Sequence, residues 1–477
     1  MPVADYEPVI GLEVHAQLLT KSKIFCTCST AFGAPPNTQV CAVCLGLPGA
    51  LPALNREVVE MAIKAGKAFG CAIAHRSIFA RKNYFYPDLP KGYQISQYET
   101  PLCGGGAVTV PLPDGGTRRV SLTRIHLEED AGKNVHGSAG SEVDLNRAGT
   151  PLVEIVGEPD LRSAEEATDY LKALRLTLMY LGINDGNMEE GSFRCDANVS
   201  VRKKGAQKLG TRVELKNINS FRFVRQAIEY EIGRQVAVIE SGGKIAQETR
   251  LFDNEKGETR SMRSKEEAND YRYFPEPDLP PLLVSQEWID SVKVPRLPHE
   301  RLAELQAEGV PQADARTLVA DARLAALHAR IVEAAGKDSA RRAALTVVGE
   351  VSRAVNEGEV DLSAQKFTPE QIADVYALQD AGTLSSTAAR EVLAEVLRSG
   401  KPPRQVVSEK GLAQVSDSSA LEAVVDAVIA RSPGEVEKYK GGKKALLGFF
   451  VGAAMKELKG KGNPGALNAL FKQRLGD

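Results

Sequence analysis

The stretch Ile10-Gly-Leu-Glu-Val-His-Ala-Gln-Leu18 decides how the N-terminal part of this 477-residue chain folds. Its apolar side chains recur at every second position, which predicts a β-strand with one buried face. The opposite face carries Glu13, His15 and Gln17, so a carboxylate and an imidazole point in the same direction. An ordinary half-exposed strand, with these polar side chains in water, explains the same pattern.

Two further strand-like stretches carry carboxylates. Arg124-Ile-His-Leu-Glu128 places its three polar side chains on one face, and Pro151-Leu-Val-Glu-Ile-Val156 places Glu154 in a strand that is otherwise apolar on both faces. Burying a carboxylate there is costly without a cation or strong donors, and a salt bridge is the alternative explanation. Carboxylates of this kind suit an oxygen-rich divalent site of the magnesium type. The candidate ligands are Glu13, His15, Glu128 and Glu154.

Four cysteines form two closely spaced pairs, Cys26-x-Cys28 and Cys41-x-x-Cys44, in a turn-rich stretch. Four thiolates in that arrangement suit a tetrahedral zinc ion, and a closed shell of four sulfurs leaves no open catalytic position. The sequence therefore predicts a structural zinc site, with four reduced cysteines in a loop as the alternative. The remaining cysteines are isolated and resemble packed thiols rather than nucleophiles.

Composition and breaks divide the chain into three predicted segments. Residues 1–294 mix short strand-like runs with Gly/Pro turns, and residues 295–404 are rich in Ala, Leu, Arg and Glu with helical periodicity. After Lys401-Pro-Pro-Arg404, residues 405–477 form a short helical tail. The predicted fold class is therefore α+β. No apolar run approaches the ~18 residues of a membrane span, and the N-terminus lacks a signal peptide pattern, which predicts a cytoplasmic chain.

The formal charge of −2 gives no global signature of nucleic-acid binding, but the charge is unevenly distributed. From Pro433 onward, nine basic and four acidic side chains give a net charge of +5. This asymmetry indicates a tail that contacts a polyanion, although a solvated lysine face explains it equally well. The basic residues are Lys438, Lys440, Lys443, Lys444, Lys456, Lys459, Lys461, Lys472 and Arg474.

Several long motifs resemble the GatB/GatE family of tRNA-dependent amidotransferases, and the resemblance extends over essentially the whole chain. The motifs are Val9-Ile-Gly-Leu-Glu-Val-His-Ala-Gln17, Arg81-Lys-Asn-Tyr-Phe-Tyr-Pro-Asp88, Leu145-Asn-Arg-Ala-Gly-Thr-Pro-Leu-Val-Glu-Ile155, Phe193-Arg-Cys-Asp-Ala-Asn-Val-Ser200 and Tyr271-Arg-Tyr-Phe-Pro-Glu-Pro-Asp278. The resemblance implies a cradle-like, β-rich, kinase-type N-terminal domain, then an all-helical domain and a YqeY-like tail that binds tRNA.

The resemblance also implies an activity. Members of the family use ATP to phosphorylate the side-chain carboxylate of misacylated Asp-tRNA(Asn) or Glu-tRNA(Gln), and then amidate it. The ammonia comes from a separate amidase subunit, and a small third subunit completes a heterotrimer. The chain is therefore expected to be part of a glutamine-hydrolysing, ATP-dependent ligase that uses Mg²⁺. The absence of a P-loop signature agrees with an unfamiliar nucleotide site.

Within this family, the magnesium ligands match Glu13, His15, Glu128 and Glu154, and the zinc-type cysteines match Cys26, Cys28, Cys41 and Cys44. Phosphoryl transfer also requires basic side chains to position the phosphates. We expect Arg81, Lys82 and Arg194 to supply those contacts. Two other functions remain open: a non-catalytic zinc-bearing tRNA scaffold, and a stand-alone ATP-dependent ligase that acts on a free small acid.

Overall fold

A computed structural model describes residues 2–137, 140–264, 271–414, 418–458 and 462–476. The chain divides into two compact units, Met1–Arg301 and Leu302–Asp477. The first is rich in β-strands and the second is helical, which confirms the predicted α+β class. The segment boundaries predicted at residues 294 and 404 stay predictions.

All strands of the described residues lie in the first unit. In chain order they are β1 (Tyr6–Gln17), β2 (Ala72–Ile73), β3 (Arg76–Ser77), β4 (Ala80–Asn83), β5 (Tyr93–Ser96), β6 (Cys103–Gly104), β7 (Ala107–Pro111), β8 (Thr117–Glu129), β9 (Lys133–Gly137), β10 (Gly140–Asp144), β11 (Pro151–Gly157), β12 (Phe193–Lys203), β13 (Val213–Lys216), β14 (Glu248–Asp253), β15 (Glu258–Ser264), β16 (Phe274–Pro275) and β17 (Leu282–Leu283). The strand-like stretches predicted at 124–128 and 151–156 lie in β8 and β11.

The main sheet has the order β15-β14-β13-β12-β1-β11-β8-β6-β2, with β7 paired to β8. Its central strands β12, β1, β11 and β8 are antiparallel, and β1 lies in the middle of this group. Two strands that are distant in sequence therefore flank the first strand. This strand order brings Glu154 of β11 and Glu128 of β8 close to β1.

Helices cover one face of the sheet. The helices of the first unit are α1 (Ala42–Leu45), α2 (Arg56–Ala68), α3 (Ala164–Tyr180), α4 (Phe221–Glu240), α5 (Gln286–Ser291) and α6 (Pro298–Ala307), the last of which crosses the boundary. The Ser163 hydroxyl caps α3 by accepting a hydrogen bond from the Glu166 backbone amide. Leu12 and Val14 of β1 belong to one core with Leu171 and Leu174 of α3. The polar face of β1 is left free of this helical cover.

The proline-rich segment that begins at Phe274 is an ordered strap. Phe274 and Pro275 form β16, which pairs with Arg81 and Ala80 of β4. Proline excludes a helix here but permits an edge strand, because an edge residue need not donate to a ladder.

The second unit is a set of short helices. They are α7 (Gln312–Ala320), α8 (Ala322–Ala335), α9 (Ala340–Leu345), α10 (Ser352–Asn356), α11 (Pro369–Asp380), α12 (Ser386–Ser399), α13 (Pro403–Lys410), α14 (Ser418–Arg431), α15 (Pro433–Lys440), α16 (Leu447–Glu457) and α17 (Pro464–Leu475). Helices α14 to α17 share their own apolar core around Phe450 and Phe471. Among the described residues, no helix has the length and apolar run that a bilayer crossing needs.

Candidate functional site

One cross-strand row on the open face of the sheet carries two histidines and a carboxylate. His15 of β1 lies opposite Glu154 of β11, and Glu154 lies opposite His126 of β8. Glu128 is two residues beyond His126 and therefore shares the same face. The strand pairing thus converts three separate sequence stretches into one cluster.

The cluster is compact. His15 Nε2 lies 3.6 Å from Glu128 Oε1 and 3.5 Å from Glu154 Oε2. These three residues each offer one ligand atom, and the three atoms lie within 4.8 Å of one another. Two carboxylates suit a hard divalent cation such as Mg²⁺, whereas an imidazole is a less typical ligand for that ion. The carboxylate oxygens of Glu128 and Glu154 fit the predicted Mg²⁺, and His15 supplies the third ligand atom of the group.

His126 belongs to the same cluster, although sequence reasoning did not assign it to the site. Its Nε2 lies 3.3 Å from Glu154 Oε2 and 3.8 Å from Glu128 Oε2, and its side chain is almost fully buried. The signal that could have identified it is its position two residues before Glu128 on the same strand face. The two carboxylates are therefore each shared by two imidazoles.

These contacts decide which groups carry charge. Burial disfavours the imidazolium form, but the facing carboxylates of Glu128 and Glu154 raise the pKa of His126 to about 9. Burial likewise opposes ionisation of Glu154, but the two histidines hold its pKa well below the usual value. Without a metal ion, the protonated imidazole of His126 therefore balances part of the carboxylate charge of the cluster at neutral pH.

Glu13, the fourth predicted ligand, lies one row away on the same face and is not part of the three-residue group. Its carboxylate accepts a hydrogen bond of 2.8 Å from the Asn198 amide. Burial and the charge of Glu154 raise its pKa. Glu13 and Asn198 line a cavity of about 310 Å³ together with Gly11 and Gly157. Glu13 therefore lies between this cavity and the histidine–carboxylate cluster.

The three predicted phosphate contacts lie in different surroundings. The Lys82 ammonium lies 4.9 Å from the centre of the Tyr271 ring. Burial opposes its charge, but the carboxylates of Glu128 and Glu154 outweigh burial and raise the pKa of Lys82. Lys82 thus lies in the electrostatic field of the cluster. Arg81, its neighbour on β4, makes a different set of contacts.

Arg81 holds the proline-rich strap. Its guanidinium donates two hydrogen bonds of 2.8 Å to the Glu276 carboxylate and one of 2.9 Å to Asp278. It also stacks 4.1 Å from the centre of the Tyr93 ring. The Glu276 side chain is fully buried, and its ion pair with Arg81 joins β4 to the strap; this ion pair is called the clasp.

Arg194 lies beside the cluster on β12, opposite His15. Its guanidinium forms two hydrogen bonds to Asp130, of 2.9 and 3.1 Å, and Gln17 donates to the same carboxylate. Although burial opposes the charge, Arg194 and Arg147 keep the pKa of Asp130 below its usual value. Arg194, Arg147 and Gln17 line a second cavity of about 660 Å³. The sequence analysis had not assigned a role to Asp130.

The four cysteines of the predicted zinc site converge. Cys44 Sγ lies 3.5 Å from Cys26 Sγ and 3.8 Å from the sulfurs of Cys28 and Cys41. A tetrahedral zinc with bonds of about 2.3 Å requires sulfur atoms about 3.8 Å apart, so this donor set fits the ion. Hydrogen bonding from Cys26, with a smaller effect of the Lys23 ammonium, lowers the pKa of Cys44 to about 4.

The basic residues of the tail are only partly available to a partner. Lys438, Lys440 and Lys443 lie at the end of α15 and in the turn after it, and all three are exposed. Arg474 is paired with Asp426 and Glu422, at 2.9 Å in each case. Lys459 and Lys461 lie outside the described residues. The three exposed lysines around the end of α15 are the basic patch of the tail, and Lys456 and Lys472 are exposed on other helices.

Comparison with known sequences covers both units. Residues 8–290 match the GatB/GatE catalytic domain, and residues 330–475 match the GatB domain. The chain is 62% identical over 483 residues to the B subunit of the aspartyl/glutamyl-tRNA(Asn/Gln) amidotransferase from Anaeromyxobacter sp. (strain Fw109-5), with all of both chains covered. Proteins of the same name from Myxococcus xanthus (strain DK1622), 56% identical with full coverage of both chains, and Geotalea daltonii (strain DSM 22248 / JCM 15807 / FRC-32), 57% identical with 99% coverage of each, are also similar.

Proposed function

The chain belongs to the GatB/GatE family, and we propose that within a tRNA-dependent amidotransferase it activates the amino acid carried by the tRNA. Full-length similarity to subunits named for Asp/Glu-tRNA(Asn/Gln) amidotransferase carries this proposal. The complex is an ATP-dependent, glutamine-hydrolysing ligase. Its place is the cytoplasm, where aminoacyl-tRNA is made and used.

The chemistry requires activation because ammonia cannot displace oxide from a carboxylate. Transfer of the ATP γ-phosphoryl group to the side-chain carboxylate of Asp-tRNA(Asn) or Glu-tRNA(Gln) gives an acyl phosphate, and ADP leaves. Attack of ammonia on the acyl carbon then forms the amide and expels inorganic phosphate. Water would consume the same intermediate, so a protected site and a guided supply of ammonia favour the amide.

The histidine–carboxylate cluster would hold the magnesium ion. His15, Glu128 and Glu154 are the proposed ligands, with Glu13 beside them toward the smaller cavity. When bound, Mg²⁺ neutralises phosphate charge and orients the phosphates for in-line transfer. His126 would stay paired with the carboxylates and restrict their orientation, as groups behind metal ligands commonly do.

Basic side chains around the cluster would position the phosphates. Lys82 is the strongest candidate because its ammonium already lies in the field of Glu128 and Glu154. Arg194 borders the larger cavity but shares its guanidinium with Asp130. Arg81 is engaged by Glu276 and Asp278, so a phosphate contact from Arg81 would require it to exchange a buried partner.

The zinc site, the partner subunits and the tRNA contact complete the proposal. Cys26, Cys28, Cys41 and Cys44 would hold a structural zinc, because their four sulfurs lie within 4.8 Å of one another and four thiolate ligands leave no open position on the ion. A separate amidase subunit would supply ammonia, and a small third subunit would complete the heterotrimer. The tail would contact the tRNA backbone through Lys438, Lys440 and Lys443.

The test is a reconstituted complex supplied with glutamine, ATP and each misacylated tRNA in turn, followed by analysis of the amino acid on the tRNA. The proposal predicts conversion of aspartate to asparagine or of glutamate to glutamine, with ATP cleavage that depends on the tRNA. Turnover of free aspartate without tRNA would instead indicate a stand-alone ligase. Tight tRNA binding without amide formation would indicate a scaffold.

A further inference from the structure

Lys23 lies beside the four cysteines and is completely buried. Its ammonium donates a hydrogen bond of 2.8 Å to the Gln39 carbonyl, and it lies 3.5 Å from both Cys44 Sγ and the Leu145 carbonyl. Among the described residues, no aspartate or glutamate pairs with this ammonium. Neutral carbonyl groups alone are poor compensation for a buried positive charge, so an anionic group is expected within reach.

The cysteine cluster is the group that supplies that charge. Four thiolates around a divalent ion carry a net charge of −2, and the cluster is partly buried with Cys44 as its innermost member. Removing such a centre from water is costly unless cations or donors lie next to the sulfurs. A lysine in contact with the innermost sulfur meets that need directly.

We infer that Lys23 is a positioning residue of the cysteine metal centre: its ammonium donates an N–H···S hydrogen bond to Cys44 and offsets part of the thiolate charge. This inference rests on the metal occupancy proposed above. It also assigns the lysine a second task, because the same ammonium contacts Gln39 on the cysteine loop and Leu145 on the segment before β11.

The second task links the metal loop to the larger cavity. The Gln39 backbone N–H donates a hydrogen bond of 2.8 Å to Asn146 Oδ1. The side-chain NH₂ group of Asn146 in turn donates one of 2.7 Å to the Pro35 carbonyl. Gln39 and Asn146 both line the cavity of about 660 Å³ that also contains Arg194. Through Gln39 and Leu145, Lys23 therefore connects the cysteine loop to the lining of that cavity, while it also contacts the Cys44 sulfur.

The experiment compares metal retention in the full-length protein carrying Lys23→Met, Lys23→Gln or Lys23→Arg with the wild type, using Zn²⁺ and a competing chelator. Lys67→Met is the matched control, because the Lys67 ammonium also donates to two backbone carbonyls, 2.8 and 2.7 Å away on Ile289 and Val292, but contacts no cysteine among the described residues. We expect Met and Gln to weaken zinc binding by roughly 10–100-fold, the usual effect of removing a group behind a metal ligand. Arg should retain most of the affinity, and the control should match the wild type.

A Co²⁺-substituted protein gives a readout that a merely structural lysine would not change. Loss of the N–H···S hydrogen bond leaves the Cys44 sulfur more electron-rich, so the sulfur-to-cobalt charge-transfer bands should move to longer wavelength in the Met variant, whose side chain has no N–H donor. If Lys23→Met does not fold, the comparison of Gln with Arg, which differ in charge, decides the question. Zinc affinity and cobalt spectra that are the same in wild type and Met variant, or zinc affinities that are the same in the Gln and Arg variants, would overturn the inference, whereas a wild type that holds no metal would overturn the proposed centre itself.

Discussion

His126 Nε2 lies 3.3 Å from Glu154 Oε2, the carboxylate oxygen that also lies 3.5 Å from His15 Nε2. One carboxylate thus connects a histidine on each neighbouring strand. Because His126 is the more deeply buried of the two imidazoles, it faces the carboxylates from the interior, and His15 faces them from the more open side. The ion proposed for this cluster would compete with protons for the same oxygens.

The first prediction concerns stability against pH in chelator-treated, metal-free protein. The pKa of His126 rises from an ordinary 6.5 to about 9 on folding. The stabilisation from its protonated form is therefore fully present below pH 6.5 and is lost as the pH rises through about 9. The shift corresponds to about 3 kcal/mol. Thermal unfolding midpoints should fall between about pH 6.5 and 9.5 in the wild type and fall less in His126→Gln. Parallel curves for the two proteins would contradict this role.

The second prediction separates the clasp function of Arg81 from a phosphate contact. Arg81→Met leaves the Glu276 carboxylate buried without its partner, which should cost on the order of 3 kcal/mol of stability. Arg225→Met is the control, because its pair with Glu229 is half exposed and such pairs contribute less than about 1 kcal/mol. Denaturant unfolding of the variants measures both effects. A stable Arg81→Met protein with weakened ATP binding would assign Arg81 to the phosphates instead.

The third prediction concerns the basic patch of the tail. Changing Lys438, Lys440 and Lys443 together to Gln should weaken tRNA binding and make it less dependent on salt, because each lost phosphate contact lowers the salt slope by about 0.7–0.9. Lys401→Gln with Lys410→Gln is the control, since both ammonium groups are paired with carboxylates in the same unit. The measurement is tRNA binding by the wild type, the triple variant and the control at several salt concentrations. An unchanged slope in the triple variant would exclude the patch from the tRNA contact.

The strand faces of the site could be predicted from the sequence. The alternation of polar and apolar residues predicts that Glu13 and His15 share one face of β1. The same two-residue period predicts the faces of β8 and β11 that carry Glu128 and Glu154. The order of strands could not be predicted from local pattern, because β11 and β12 pair with β1 although they are distant from it in sequence. Their convergence was an expectation that rested on family resemblance. The sequence places His126 on the same strand face as Glu128, two residues away, but its contact with Glu154 depends on the pairing of β11 with β8 and was therefore missed.

Contacts between distant segments account for the other differences. The cysteine spacing predicted a metal site, since four ligands in one short loop need little tertiary information. Arg81 was expected to contact phosphate, and its pairing with Glu276 joins residues 195 positions apart. Lys23 was not singled out, because its burial depends on how the cysteine loop folds back over it.

The central claim is that the cluster of His15, Glu128 and Glu154 drives tRNA-dependent ATP cleavage. The most direct measurement is the rate of that cleavage in the complete complex with Glu128→Gln, beside Glu229→Gln as a surface control. We predict a loss of at least about 100-fold for Glu128→Gln, with tRNA binding unchanged, because the substitution removes a charged ligand of the proposed magnesium ion. Cleavage at the wild-type rate by Glu128→Gln would contradict the account.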